Sequence, residues 1–118
     1  MVIDYGIGEK EISISPYTLV IYEQEFKSDL IQDLLGKVVA RNEEDEDGVF
    51  TVLDFRDVNW TAGVKALWAS LKAANEAGVP SYEKWSKAAD TINMFVISQE
   101  LIPMFMDGLF RAGGAASE

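Results

Sequence analysis

Asn59-Trp-Thr-Ala-Gly-Val-Lys-Ala-Leu-Trp-Ala-Ser-Leu71, closed further on by Gly78-Val79-Pro80, is the stretch whose reading decides the fold. Trp60, Val64, Leu67, Trp68 and Leu71 recur at i, i+4, i+7, i+8 and i+11, the stripe of an amphipathic helix. Lys65, Ser70 and Lys72 lie off that stripe. Asn59 suits the N-cap, since its side chain can accept from the free amides of the first turn, and Gly78-Val79-Pro80 stops the helix. The five apolar residues are predicted to be buried together.

Downstream, Ser81 caps a short helix through Lys87 that buries Tyr82 and Trp85. Asp90 is read as the cap of the last and longest helix, running to about Arg111 and kinked by Pro103. Upstream, Lys10 to Ser15 alternates Ile12 and Ile14 with polar residues, which signals a short strand or an extended arm. Ser15-Pro16 looks like a helix entry, and Leu19, Tyr22 and Phe26 at i, i+3 and i+7 favour a helix through Phe26 over the strand that the β-rich Thr18-Leu-Val-Ile-Tyr22 could extend instead. Ser28 caps a second short helix that Gly36 ends. Asn42-Glu-Glu-Asp-Glu-Asp-Gly48 is read as a mobile, solvated loop, because five adjacent carboxylates repel one another. Val49 to Phe55 is either a short strand or a helical turn. The expected architecture is mainly α. It is a compact four- to five-helix domain over residues 1–112, with a short extended or β element near the N-terminus and a disordered tail at 113–118.

Composition narrows the function. The 118 residues hold 10 basic and 20 acidic side chains, a net charge of −10. Residues 1–57 hold 14 acids against 5 bases, and residues 58–118 hold 6 against 5, so the excess sits in the first half. Phosphate backbones would repel such a chain, and no nucleic-acid partner is expected. The opening MVIDYGIGEK has neither the basic start nor the apolar run of a secretory signal. The apolar stretch Thr91 to Phe110 is broken by Gln99, Glu100, Pro103 and Asp107, so no membrane span is expected and a cytoplasmic protein is.

The chain has no Cys and no His, which removes thiolate metal sites and the common nucleophile–base pairs. Glu23 and Glu25 stand at i and i+2 and face apart on a helix. Asp54 and Asp57 flank Arg56 and read as solvated side chains. Gly6-Ile-Gly8 is a lone GxG without the rest of a dinucleotide fingerprint, and the acidic run lacks the ligand spacing of an EF-hand. No catalytic residue, cofactor or metal is assigned, and the expected protein is not an enzyme.

The last helix carries the candidate site. Met94, Phe95, Val96, Ile97, Leu101, Ile102, Met104, Phe105, Met106, Leu109 and Phe110 circle it instead of forming one stripe. Two readings stay open: a central core helix, or a helix with one face left for a partner or a second copy. Met and Phe adapt to varied apolar ligands, so Met94, Phe95, Met104, Phe105, Met106 and Phe110 are the candidate partner-binding residues.

The run Tyr17-Thr-Leu-Val-Ile-Tyr-Glu-Gln-Glu-Phe26, with Ser28-Asp-Leu-Ile-Gln-Asp-Leu-Leu-Gly36, resembles tail assembly chaperones of long-tailed phages and prophages of Gram-positive bacteria. Asn59-Trp-Thr61, Ala66-Leu-Trp68 and Pro80-Ser-Tyr-Glu-Lys-Trp85 fit the same pattern, so the resemblance covers about residues 10–110. It implies a small helical protein that coats the long, apolar, helical tape measure protein and brings tail tube subunits to it. It supplies no catalytic residues. The rival functions are an acidic inhibitor that mimics nucleic acid against a basic target, and a structural subunit of the virion tail.

Overall fold

A computed structural model describes residues 1–6, 8–36, 39–54, 58–89 and 92–110. Its centre is the predicted helix, α2 (Trp60–Ala74). The Asn59 side chain accepts from the amides of Thr61 at 3.0 Å and Ala62 at 3.3 Å, as the cap reading requires. Leu67, Trp68 and Leu71 are buried, and Val64 is partly so. Trp60 is not: it stands at the rim, 37% exposed. The small residues Ala62, Gly63, Ala66 and Ala69 are buried instead, which lets neighbouring backbones come close. At Gly63 an added methyl would lie 2.7 Å from Cγ2 of Ile97.

Helix α1 (Pro16–Phe26) packs along α2. Its start is fixed by Thr18, whose hydroxyl accepts from the Ser15 amide at 3.2 Å and donates to the Ser13 carbonyl at 2.6 Å. The predicted inner face is observed, with Tyr22 buried and Leu19 and Phe26 packed against the core. The next segment is a π-helical turn, Ile31–Leu35, in which Asp29, not Ser28, accepts from the Gln32 amide at 3.1 Å. Helix α3 (Tyr82–Ala88) starts at Ser81 as expected, the Ser81 hydroxyl accepting from the Lys84 amide.

The C-terminal helix is continuous but not uniform. It runs from α4 (Met94–Val96) through a π-helical turn (Ile97–Leu101) into α5 (Ile102–Phe110). Asn93 caps it, accepting from the Phe95 amide at 3.0 Å, so the helix begins after the predicted Asp90, which lies outside the described residues. Proline has no N–H to complete the ladder and its ring crowds the preceding turn. The π turn ends at Leu101, two residues before Pro103.

Two antiparallel ribbons correct the mainly α expectation to a mixed α+β fold. The first pairs β1 (Val2–Asp4) with β2 (Glu9–Glu11). Beyond β1 the Asp4 carboxylate accepts from the amides of Gly6 and Gly8 at 2.9 and 3.2 Å. Both glycines have positive φ, 131° and 98°, so GxG serves here as turn chemistry. The second ribbon pairs β3 (Val39–Asp45) with β4 (Gly48–Asp54) around Glu46-Asp47. This is where a loop was expected. Both faces of an isolated ribbon meet water, so its carboxylates can spread apart without disturbing the strands. Gly48 has φ 128°, and the Asp45 carboxylate accepts from the Asp47 amide at 2.8 Å. Val49-Phe50-Thr51-Val52 then supplies β-branched and aromatic residues that favour a strand.

Rings from three helices and from Tyr5, just beyond β1, interlock across the core. Tyr22, Phe26, Trp68, Tyr82, Trp85 and Tyr5 form a chain with successive centroids 4.8–6.2 Å apart, mostly edge to face. Trp68 also donates from Nε1 to the Pro80 carbonyl at 3.0 Å, and Lys72 reaches the Val79 carbonyl at 2.6 Å. The predicted stop at Gly78-Val79-Pro80 therefore folds back on α2. No helix among the described residues is long and apolar enough to cross a membrane.

Candidate functional site

The six candidate partner-binding residues do not share one surface. Phe105 is fully buried, and Met104 and Met106 are partly buried against the core. Val96, Ile97, Leu101 and Ile102 of the same helix are also core residues. The stretch from Val96 to Phe105 is thus a core helix whose apolar ring is consumed by packing on α2 and its neighbours. The side chain of Phe110, which ends α5, lies outside the described residues.

Met94 and Phe95 differ from the rest. They are 38% and 69% exposed and occupy the first turn after the Asn93 cap. Asn93 donates its own amide to the Tyr5 carbonyl at 2.9 Å, which pins this turn beside the end of the first ribbon. Tyr5 is buried and touches Trp85 edge to face, so the aromatic core holds the turn in place. Phe95 is thus a largely exposed aromatic side chain on a turn tied to the core.

The second exposed feature is the β3–β4 ribbon, which the sequence reading missed as a structure. Every described residue from Arg41 to Thr51 is exposed, and Val49 and Phe50 stand out at 67% and 43%. In the strand register Phe50 lies opposite Glu43 and Val49 opposite Glu44, on opposite faces of the ribbon. Arg41 is bound to Glu43 at 2.9 Å and to Asp54 at 3.6 Å, and Thr51 donates to Asn42 at 3.2 Å. The signal that could have found it was Asp47-Gly48 between an alternating charged run and a β-branched one.

The clefts offer less to chemistry. One of about 140 Å³ lies between α1 and the π turn, lined by Leu19, Val20, Glu23, Asp29, Leu30 and Ile31. Another of about 300 Å³, by the end of α2, is flanked by Lys10 and Glu11 of β2. Tyr22 has its hydroxyl pushed well above the ordinary tyrosine range by burial and by its hydrogen bond to Asp33 at 2.9 Å. That shift keeps the phenol neutral and belongs to a packing role. Among the described residues no group of three or more carboxylates could hold a metal ion. Compared with family models, curated proteins and solved structures, the chain matches none.

Proposed function

We propose that this chain is a non-enzymatic tail assembly chaperone, acting in the bacterial host cytoplasm to bind the helical tape measure protein and aid its meeting with tail tube subunits. The sequence resemblance supports this reading, and the aromatic chain gives its residues a purpose. Tyr22, Phe26, Trp68, Tyr82 and Trp85 all fall within the resembling segments and all pack together. The observation that carries the reading is Phe95, a large apolar side chain 69% exposed on a turn anchored to the core. An apolar helix laid over Met94 and Phe95 would be masked while the acidic body keeps the complex dispersed. Self-association through the same turn would compete with the client, so added client peptide should dissociate any such oligomer.

Coexpression with a tape measure protein of a long-tailed phage is the test. The client should remain soluble and copurify with the chain, and Phe95→Asp should return it to aggregates. Equal solubility of the client without the chain would contradict the proposal. A second reading, an acidic decoy for a basic target, draws on the second ribbon, which sets Glu43, Glu44 and Asp45 on a strand. It predicts that a soluble polyanion displaces the partner, which an apolar helical client would not require.

A further inference from the structure

The second ribbon has two outer edges, and they are built differently. Among the described residues the β3–β4 sheet has two strands only, so neither edge is paired. Unpaired edges invite pairing with another chain, and proteins usually guard them with charge. The β3 edge is guarded by Arg41, Glu43, Glu44 and Asp45. From Val49 to Val52 the β4 edge has no charge at all, and Val49 and Phe50 are its most exposed apolar groups.

Charge selects the occupant. Glu43 and Glu44 lie across from Phe50 and Val49, and Glu46 and Asp47 form the tip, while the one cation of the described arm, Arg41, is committed to Glu43 and Asp54. A third strand would sit about 5 Å from β4 and about 10 Å from β3, inside or near the screening length of physiological salt. Its charged side chains would therefore feel these carboxylates. A second copy of this chain would bring the same acids and a net charge of −10 against them. We propose that β4 receives an extended segment of another protein in which Lys or Arg alternates with apolar residues. That segment adds to the ribbon as a strand, its apolar side chains meeting Val49 or Phe50 and its cations the acids of β3 and the tip. The proposal does not depend on the chaperone reading.

The test uses the full chain and labelled synthetic peptides of about ten residues, a strand's length. One alternates Lys with Val, one alternates Glu with Val, and one is an amphipathic Lys/Leu helix former of equal charge. The Lys/Val peptide is expected to bind, roughly tenfold or more tighter than the Glu/Val peptide, and to weaken as salt rises. Val49→Thr with Phe50→Thr retains β-propensity and should cut that affinity several-fold, while Glu43→Gln with Glu44→Gln should flatten the salt dependence. Circular dichroism and thermal melting of each variant check that the chain is folded. The proposal is overturned if the Lys/Leu helix former binds as tightly as the Lys/Val peptide, since charge alone would then explain binding. It is also overturned if both arm variants bind like the parent. Sedimentation showing a dimer of the free chain that Val49→Thr with Phe50→Thr abolishes would assign the edge to a second copy instead.

Discussion

The two ribbons share a plan and differ in what they rest on. β1–β2 places Ile3 in the core and delivers Tyr5 and Ile12, which are also buried, just beyond its ends. Its exit is tied to α2 by the Ser13 amide donating to the Ser70 carbonyl at 3.1 Å. β3–β4 presents an unbroken exposed run from Arg41 to Thr51. A two-stranded hairpin alone is marginal in water; the first ribbon is stabilised by burial in the domain, and the second lacks that burial from Arg41 to Thr51. Local strand chemistry therefore makes both ribbons, and burial separates the structural one from the available one.

Several substitutions can break this comparison. The largest effect is expected at Trp68, which joins α1, α2 and α3 and reaches the first ribbon through Tyr82, Trp85 and Tyr5. Trp68→Ala should cost roughly 3–5 kcal/mol in denaturant unfolding. Ile12→Ala should cost about 2–4 kcal/mol, because a fully buried side chain at the foot of the first ribbon is lost. Gly63→Ala adds a good helix former, yet its methyl meets Ile97, and a net loss of about 1–3 kcal/mol is expected. A stabilised Gly63→Ala variant would mean the helices can move apart freely. In the second ribbon, replacing Glu43 to Asp47 by Ser or Asn should change stability by no more than about 0.5 kcal/mol, with no calcium-dependent shift in melting. If that change cost as much as Ile12→Ala, the two ribbons would not differ as described.

Much of the core was legible from spacing. Leu67, Trp68 and Leu71, the inner face of α1, and the Asn59 and Ser81 caps follow from helical periodicity and capping chemistry. Trp60 shared the stripe but not the burial, since periodicity names a face and not where the neighbouring elements end. The second ribbon was read as a loop because charge repulsion was weighed above the Asp-Gly turn and the β-branched run after it. The candidate site was legible only in part. Circling hydrophobicity marked the C-terminal helix as unusual, but which residues the core takes depends on the approach of α2, made possible by Gly63. That contact is remote in sequence and leaves no periodic trace.

The central claim is that the client surface and the core occupy different parts of the same apolar helix. Phe95→Asp and Phe105→Asp test it directly when thermal stability and client-peptide affinity are measured together for each. Phe95→Asp is expected to leave the melting temperature within a few degrees of the parent and to weaken binding at least roughly tenfold, as loss of an interface anchor does. Phe105→Asp is expected to unfold the domain, because it buries an unpaired charge. If Phe95→Asp binds the client as the parent does, or loses affinity only as it loses its fold, the helix is core throughout and the client binds elsewhere.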